Sequence, residues 1–581
     1  MNLKAELEAR VSAALAQIGV PGPALVRSAA RPEFGDYQAN GVMGAAKQAG
    51  IVPRDVAADA VAALLASEAE ANPRLVASAE VAGPGFINLT LAPEVLARAS
   101  AAADPVLTTT AAPLTVVIDY SSPNLAKEMH VGHLRSTIIG DALARQFEAL
   151  GHRVIRQNHV GDWGTQFGML ITQLADEQAV DANVELSDLQ AFYQRAKKRF
   201  DAEPEFADRS RHAVVGLQSG DPVTREQWHA FVDLSLTHIE SLYARLGVTL
   251  RRDDVMAESA YNDALPGVIE SLREQGLLEE SDGAQCVFLD EFKNKNGDVL
   301  PVIVQKQGGG YLYATTDLAA VLHRATLKAD RVLYLVDVRQ SLHFKQIFTL
   351  ARKAGFAPDS MSLEHMPFGT MLGKDGKPFK TREGGVVRLE DVLEEAERRA
   401  RALLRARIED GTTQISVDDL DAVAAVIALG AVKYSDLSKN RTSDYVFDWD
   451  QMLSFEGDTA PYLQYAYSRV RSLLRRANEV AASDVPGDVA EAELKPQERA
   501  LALAVLRFQE TVEQATQEGY PHYLCGYLYE LATRYSQFYE AVPVLKAAPA
   551  DRNRRLQLCR QTGETLRLGL DLLGIGVVER M

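Results

Sequence analysis

Cysteine is scarce in this chain. Its 581 residues include three cysteines, Cys286, Cys525 and Cys559, which lie far apart and form no Cys-x-x-Cys pair. A disulfide framework and a cysteine zinc site both need several closely spaced thiols, so the sequence excludes both. We expect the three cysteines to be buried or bystander thiols, and we expect no dedicated protein metal site.

Long hydrophobic runs are also absent. No apolar run approaches the roughly 20 residues that cross a bilayer, and the segment from Met1 to Leu15 mixes acidic with apolar residues. A secretory signal has instead an uninterrupted hydrophobic stretch before a small-residue cleavage site. The sequence therefore predicts a cytoplasmic protein without a membrane partner.

Positive charge is in deficit. The 62 Lys and Arg residues are outnumbered by 79 Asp and Glu residues, which gives a formal net charge of −17. Alone, this balance argues against a nucleic-acid partner, because neutralising phosphates requires Lys and Arg. Basic residues nevertheless cluster locally, as in Arg469, Arg471, Arg475 and Arg476. Such a run is more often a solvated helix face than an RNA site, so both interpretations stay open at this point.

The length of the chain predicts several domains. At roughly 150 residues per domain, it should hold about three or four folded units. We expect an N-terminal α/β domain over residues 1–106, a central α/β domain over 112–453 and an all-helical domain over 454–581. In the central domain, a charged helical insertion is predicted at about 171–251 and a helical connecting region at about 389–453.

Strands and helices alternate in the central domain. Runs at 114–119, 152–157 and 331–336 have the composition of strands, and helical patterns follow them. This alternation predicts a doubly wound parallel sheet, which is a Rossmann-like fold. Ligands of such sheets bind beyond the carboxyl ends of the strands, so we expect chemistry in the loop from Asp119 to Gly132.

That loop leads into His130-Val131-Gly132-His133 at the start of a predicted helix. The two imidazoles stand beside free backbone N–H groups, and a helix N-terminus attracts phosphate. Gly132 has no side chain, so an adenine ring could lie against the backbone. The four residues therefore fit a nucleotide triphosphate site, although alone they fit a metal-binding pair or a turn about as well.

The sequence resembles one known family over nearly its whole length. His130-Val131-Gly132-His133 resembles the His-Ile-Gly-His signature of class I aminoacyl-tRNA synthetases, and the longer block from Asp119 to Thr137 resembles the bacterial arginyl-tRNA synthetases in particular. Three other segments are similar to the same family, namely Phe34 to Gln38, Gly161 to Gly168 and Asp458 to Ala466. In that family, the first lies in an N-terminal tRNA-binding domain and the last opens a helical anticodon-binding domain.

The resemblance implies an arginine site. Asp119 and Asp317 with Tyr313 would grip the guanidinium, whose planar N–H donors suit carboxylates. Asn124 and Gln340 would hold the α-amino and carboxylate end. Asp119 is shorter than the Glu of some family members, which predicts a looser or water-bridged contact. The predicted arginine-binding residues are Asp119, Ser121, Asn124, Tyr313, Asp317 and Gln340.

The resemblance also implies an ATP site and a tRNA surface. The predicted ATP-binding residues are His130, Gly132, His133, Phe368, Gly369 and Met371. The predicted tRNA-binding residues are Tyr37, Gln38, Arg469 and Arg471. The predicted catalytic residues are Lys127, His130, His133, Lys380 and Arg382.

The second signature of class I enzymes, Lys-Met-Ser-Lys-Ser, is degraded in this chain. The matching loop, Gly373 to Arg382, has no clear counterpart of the first lysine. Degeneracy of this kind is typical of the arginyl family, where a lysine at the position of Lys127 is thought to take over the phosphate contact. In isolation, the loop would be interpreted as a Gly/Lys-rich surface turn.

The predicted function is arginine–tRNA ligation. ATP would activate L-arginine, with Mg²⁺ bound through the phosphates, and the arginyl group would pass to the 3′-terminal adenosine of tRNA(Arg). No Ser-His-Asp or Cys-His set has the spacing for a covalent acyl-enzyme. The expected partners are tRNA(Arg), L-arginine and ATP, and a monomer is expected from the resemblance.

Two alternatives stay open. The first is a synthetase for another amino acid, because the nucleotide signature does not choose the substrate; the paired acids Asp119 and Asp317 favour a cationic one. The second is a non-catalytic RNA-binding or regulatory relative that keeps only the fold. Retention of His130, Gly132 and His133 favours an active enzyme.

Overall fold

The computed structural model describes residues 2–97, 99, 107–178, 189–379, 387–413, 415–480 and 494–581. Within these ranges the elements form an N-terminal α/β unit, a central unit around a parallel sheet, and a helical unit. None of the described helices combines the length and apolar composition that a membrane crossing requires.

The N-terminal unit is a four-stranded antiparallel sheet covered by helices. The strands have the order β1-β2-β4-β3, and their buried side belongs to a hydrophobic core of this unit. The elements are α1 (Leu3–Gln17), β1 (Val26–Ser28), β2 (Tyr37–Ala39), α2 (Val42–Ala49), α3 (Pro53–Glu70), β3 (Val76–Ala82), β4 (Phe86–Leu91) and α4 (Pro93–Ala97).

The central sheet has four parallel strands in the order β11-β10-β5-β6. Both faces of β5 are covered, so Val116, Val117 and Ile118 are fully buried, as is usual in a parallel sheet between helices. The predicted doubly wound fold is thereby confirmed. The elements are β5 (Thr115–Asp119), α5 (Val131–Ala149), β6 (Arg153–Gln157), α11 (Tyr313–Thr326), β10 (Arg331–Tyr334), α12 (Ser341–Lys353) and β11 (Ser362–His365).

Two further pieces lie between β6 and α11. Four helices form the charged helical insertion that the sequence predicts, and a three-stranded antiparallel sheet, β7-β8-β9, follows them. The sequence did not predict this second sheet. The elements are α6 (Thr165–Gln178), α7 (Leu189–Ala202), α8 (Pro204–Ser219), α9 (Pro222–Leu246), α10 (Leu265–Glu274), β7 (Glu279–Ser281), β8 (Ala284–Lys293) and β9 (Val299–Gln305).

Helices dominate the last third of the chain. Among the described residues of this part, one strand lies between the helices: β13 (Tyr445–Val446). It pairs in parallel with β12 (Met371–Leu372). The helices are α13 (Leu389–Glu409), α14 (Leu420–Leu437), α15 (Trp449–Met452), α16 (Ala460–Val480), α17 (Pro496–Leu506), α18 (Phe508–Glu518), α19 (His522–Ala541) and α20 (Pro549–Asp571). One hydrophobic core joins α5, α14 and α19 through Leu134, Ile427 and Leu528.

The N-terminal unit contacts the helical unit through a compact polar joint. Arg499 donates from Nη1 and Nη2 to the two carboxylate oxygens of Asp36, at 2.7 and 2.6 Å. Arg507 donates to the backbone oxygen of Asp36 at 2.6 Å, and its guanidinium lies 4.9 Å from the centroid of the Tyr37 ring. The Tyr37 hydroxyl donates to Glu510 at 3.0 Å. Bidentate and charge-assisted bonds of this kind fix the orientation of the two surfaces.

Candidate active site

The loop after β5 begins with two residues in the left-handed region. Ser121 and Ser122 have φ of 71° and 47°, a conformation that needs support from its surroundings when the residue is not glycine. The Ser121 hydroxyl lies 2.8 Å from the Thr137 hydroxyl and 2.6 Å from the Tyr243 hydroxyl, and Ser121 is buried. This hydroxyl anchors the loop to α5 and α9, and its predicted contact with arginine stays a prediction.

Asp119, at the end of β5, is paired with an arginine of the chain itself. Arg324 Nη2 donates to Asp119 Oδ2 at 2.6 Å, and the Ser122 hydroxyl donates to Oδ1 at 2.9 Å. Arg324 is buried; it also donates to Gln157 at 2.6 Å, and its guanidinium lies 4.7 Å from the centroid of the Tyr334 ring. Arg324 thus pairs with the Asp119 carboxylate within the chain, and the predicted grip of Asp119 on a substrate guanidinium stays a prediction.

A cavity of about 570 Å³ opens beside the loop, and Asn124, Glu258 and Tyr313 line it. Tyr313 is the first residue of α11 and is 69% exposed. Asp317 lies one turn further along the same helix, where its Oδ2 is 2.6 Å from Nε2 of His343. The volume exceeds that of one amino-acid side chain, so the cavity has room for a substrate and a second reactant.

Glu258 is an acidic residue of a cavity that Asp263, Arg225 and Lys306 also line. Burial, and then the nearby charges of Asp162 and Asp317, raise the pKa of Glu258 to about 8. Burial and then the charge of Glu258 also raise the pKa of Tyr313, which supports their proximity. The charge of Asp317 acts on Glu258 although Asp317 itself pairs with His343, and a cation near both carboxyl groups would relieve their repulsion.

Sequence reasoning missed Glu258, although a signal was present. The segment from Val255 to Glu258 runs beside Asn158 to Val160 like a further short strand, with Glu258 N donating to Val160 O at 3.0 Å. Val255-Met256-Ala257 is a short apolar stretch followed by an acid, as Val116-Val117-Ile118 is followed by Asp119. This pattern could have placed Glu258 with the other strand-end carboxylates.

Asn124 and Gln340 lie at different edges of the site. Asn124 lines the cavity, and its Oδ1 accepts a bond from Ala126 N at 3.1 Å. Gln340 is exposed at the start of α12, just after β10, where its N donates to Asp337 O at 3.0 Å. Both residues follow strands of the central sheet at their carboxyl ends.

The side chains of His130 and His133 both accept hydrogen bonds from backbone N–H groups at the N-terminus of α5. His130 Nδ1 accepts from Gly132 N at 3.0 Å, and His133 Nδ1 accepts from His130 N at 3.1 Å. Because each Nδ1 accepts a hydrogen bond, the proton of each neutral ring belongs on Nε2. A side chain at position 132 would come within 2.8 Å of the His130 ring, so glycine is required for this arrangement.

Both imidazoles are neutral at physiological pH. Burial, and then the charges of His130 and Lys127, lower the pKa of His133 to about 3. Burial and then the charge of Lys127 also lower the pKa of His130. The two rings therefore offer neutral Nε2–H donors at the positive end of the α5 dipole, which suits a phosphate group.

Lys127 lies beside the two histidines. Its ammonium is 5.0 Å from the centroid of the Tyr193 ring, and it lines a second cavity, of about 270 Å³, between the loop and α9. The charge of Lys127 contributes to the lowered pKa of both histidines. The structure therefore brings Lys127, His130 and His133 together.

The predicted nucleotide segment around Gly369 is held from both sides. Val338 N donates to Phe368 O at 3.1 Å, and Gly369 N donates to Arg441 O at 2.9 Å. Phe368, Gly369 and Met371 are buried, and Thr370 between them is half-buried. A Cβ at Gly369 would come within 2.7 Å of the carbon and oxygen of Ser443, which explains the glycine.

Lys380 and Arg382 lie outside the described residues. The chain beyond them pairs with the histidine motif, because Val131 N donates to Val387 O at 3.1 Å and Leu389 N donates to Met129 O at 3.0 Å. Among the described residues, no group of three or more His, Cys, Asp or Glu side chains is placed to hold a metal ion.

The predicted tRNA-binding residues lie in different environments. Tyr37 is fully buried in the joint between the N-terminal and helical units, where its hydroxyl donates to Glu510, and its predicted RNA contact stays a prediction. Gln38 donates to Asn88 at 2.7 Å. On α16, Arg469 lies 4.9 Å from the centroid of the Tyr539 ring, and Arg471 pairs with Glu579 at 2.9 Å while staying 40% exposed.

Comparison with known families identifies the class of this site. Residues 100–449 match the family described as tRNA synthetases class I (R), catalytic domain. Residues 3–91 match the arginyl tRNA synthetase N terminal domain, and residues 463–581 match the DALR anticodon binding domain. The central unit is thus the catalytic domain of a class I aminoacyl-tRNA synthetase, and the chain is an enzyme of the aminoacyl-tRNA ligase type.

Full-length relatives identify the family more narrowly. The chain is 53% identical to an arginine–tRNA ligase of Marinomonas sp. and 54% identical to one of Hahella chejuensis, with complete coverage of both partners in each case. Among solved structures, it resembles an arginyl-tRNA synthetase of Plasmodium falciparum with a TM-score of 0.84 at 28% identity, covering 100% of this chain and 99% of the other. A Thermus thermophilus arginyl-tRNA synthetase gives 0.81 at 27% identity with full coverage of both. The chain belongs to the arginyl-tRNA synthetase family.

Proposed function

We propose that this chain activates L-arginine with ATP and transfers the arginyl group to tRNA(Arg). One arginine carboxylate oxygen attacks the α-phosphorus of ATP in line, the bond to the bridging oxygen breaks, and diphosphate leaves. A ribose hydroxyl of the 3′-terminal adenosine then attacks the carbonyl carbon of arginyl-adenylate, and AMP leaves. The observation that carries the proposal is the cavity lined by Asn124 and Glu258, next to the loop that leads to the two fixed imidazole donors at the end of the catalytic sheet.

The arginine guanidinium is proposed to bind between Glu258 and Asp317, with Tyr313 at the entrance. Two carboxyl groups match the planar donors of a guanidinium better than they match a compact ammonium. Asn124 and Gln340 then serve the α-amino and carboxylate end. Asp119, which pairs with Arg324, and Ser121, which anchors the loop, are proposed to contact arginine as well.

The phosphates of ATP are proposed to bind at the start of α5. His130 and His133 each direct an Nε2–H donor to charge that grows on the phosphates as diphosphate leaves, and the exposed Gly132 gives the nucleotide access to the backbone. Lys127 supplies the nearby positive charge. Lys380 and Arg382 are proposed to add charge from the second signature loop, and the backbone from Phe368 to Met371 is proposed to face the base. The proposed ATP-binding residues of this segment are Phe368, Gly369 and Met371.

Mg²⁺ is proposed to arrive with ATP. The side chains beside the proposed phosphate position are imidazoles and an ammonium, which do not form an oxygen cage, so the phosphates are left to hold the ion. When bound, the ion would neutralise charge on the phosphates.

The tRNA is proposed to contact three parts of the chain. Gln38 in the N-terminal unit and Arg469 and Arg471 on α16 serve the body of the RNA, while its 3′ end enters the cavity. We propose the domain limits 1–106, 112–453 and 454–581 for these parts, and we propose a cytoplasmic monomer. Size-exclusion chromatography with light scattering tests the monomer directly.

Exchange of labelled pyrophosphate into ATP tests the activation step. We expect exchange that requires arginine and is negligible without tRNA, because the resemblance implies that tRNA completes the active site. Each of the other amino acids serves as a control in the same assay. Robust exchange with a different amino acid, or no exchange with arginine and tRNA together, would contradict the proposed function.

A further inference from the structure

Arg441 connects the helical C-terminal unit with the nucleotide segment of the catalytic domain. It lies in the short loop between α14 and β13, and its side chain is buried. The resemblance to the synthetase family assigned it no role. Its side chain contacts both the catalytic domain and the helical unit. This distinguishes it from an arginine that is buried within one unit.

On the catalytic side, Arg441 holds the nucleotide segment from both ends. Its Nη1 donates to Pro367 O at 2.7 Å, and its own backbone oxygen accepts from Gly369 N at 2.9 Å. Its Nη2 also lies 3.1 Å from the sulfur of Met366. A guanidinium presents its donors in one rigid plane, so a displacement of the side chain moves the backbone at Pro367, whereas Gly369 is held by the backbone oxygen of Arg441.

On the other side, Arg441 contacts the corner between α18 and α19. Its Nε donates to Gly519 O at 2.8 Å, and the guanidinium lies 4.5 Å from the centroid of the Tyr520 ring. Gly519 has φ of 69° and ends α18; a Cβ there would come within 2.9 Å of the Met366 sulfur. The corner therefore rests directly on the segment that Arg441 holds.

A second arginine, Arg331, also contacts the helical unit from the catalytic domain, but it does not contact the nucleotide segment. Arg331, at the start of β10, donates to Gln517 O at 3.2 Å and pairs with Glu364 at 2.7 Å. Its partners lie on the helical unit and on the neighbouring strand β11. Arg331 thus contributes to the attachment of the helical unit without a bond to the nucleotide segment.

We propose that Arg441 is a positioning residue that transmits tRNA binding from the helical unit to the ATP site. Binding of RNA to the helical unit shifts or tightens the α18–α19 corner, and Arg441 carries this change to the backbone from Pro367 to Gly369. ATP then binds more tightly when tRNA is present. The inference rests on the proposed function and explains through named contacts how a distant RNA site could prepare the nucleotide site.

The test measures ATP affinity by equilibrium dialysis of ATP·Mg²⁺ without arginine, in the presence and absence of a tRNA(Arg) transcript. In the parent enzyme, tRNA should strengthen ATP binding by about 5-fold or more, the lower end of usual coupling between sites. Arg441→Lys should lose most of this factor and raise KM for ATP, while KM for arginine stays unchanged. Arg331→Lys, the matched control, should keep the parental factor.

Tyr520→Leu is a second variant, at the α18–α19 corner that Arg441 contacts. It removes the ring against the guanidinium and leaves the hydrogen bonds of Arg441, so the tRNA effect on ATP should fall while ATP affinity without tRNA stays parental. If Arg441→Lys does not fold, as judged by thermal melting, this variant decides. Parental coupling in the folded variants, or equal loss in Arg331→Lys, would overturn the proposal. Failure of the parent to charge tRNA with arginine would instead reject the proposed function, because dialysis does not depend on charging.

Discussion

Arginine binding should depend strongly on pH through Glu258. Its pKa is raised to about 8, so about 1% of the side chain is ionised at pH 6 and about half at pH 8. Free arginine keeps its guanidinium charge throughout this range. If arginine binds the ionised form of Glu258, the apparent affinity should rise about 50-fold from pH 6 to pH 8, because affinity scales with the competent fraction.

Titration calorimetry with arginine checks this expectation. Below pH 7 the binding of arginine should release close to one proton, since the bound guanidinium favours the carboxylate, and repeating the titration in buffers of different ionisation enthalpy measures that proton. Glu258→Gln should remove both the pH dependence and the proton release, and should weaken binding at pH 8. An affinity that is flat with pH in the parent, or a slope that survives in Glu258→Gln, would refute the assignment.

Five substitutions test the rest of the site. His133→Ala should slow adenylation by about 2.7 to 4 kcal/mol in activation free energy, because its Nε2–H donor is lost where phosphate charge develops; near-normal single-turnover adenylation would remove that role. Lys127→Ala should reduce kcat for pyrophosphate exchange by orders of magnitude with nearly unchanged KM for arginine. Lys380→Ala and Arg382→Ala should each reduce kcat less. Pre-steady-state adenylation rates of the three variants test this order, and a Lys127→Ala enzyme as fast as the parent would contradict it. Asp317→Asn should weaken arginine binding by about 2 to 5 kcal/mol, seen mainly in KM for arginine, because Glu258 loses its charged counterpart across the guanidinium; an unchanged KM would remove Asp317 from the pocket.

The parallel sheet was predictable because its strands carry strong local signals. The apolar runs in β5, which ends at Asp119, and in β10, which ends at Tyr334, are long enough to be interpreted as buried strands. By contrast, β8 alternates poorly and contains Asp290, Glu291 and Lys293, so its antiparallel partner β9 supplies the pairing that its own pattern does not indicate. The short β11, Ser362–His365, has a single aliphatic residue and depends in the same way on pairing with β10.

The candidate site was only partly predictable from sequence. His130, Gly132 and His133 act within one helix turn, so local order was enough to bring them together. Asp119 and Arg324 are more than 200 positions apart, and nothing in local sequence indicates that the first pairs with the second. Tyr37 stands in a recognisable segment, yet its burial depends on Glu510 in another unit. Contacts between distant segments therefore decided the surroundings of these predicted residues.

Periodate protection of total tRNA is the most direct test of arginine–tRNA ligation by this chain. The purified protein is incubated with ATP, Mg²⁺, total tRNA and one amino acid at a time, and the tRNAs whose 3′ ends resist periodate are sequenced. With arginine, the protected species should be the arginine-accepting tRNAs, and each of the other amino acids should protect none. Protection with a different amino acid, or no protection with arginine, would contradict the assigned activity.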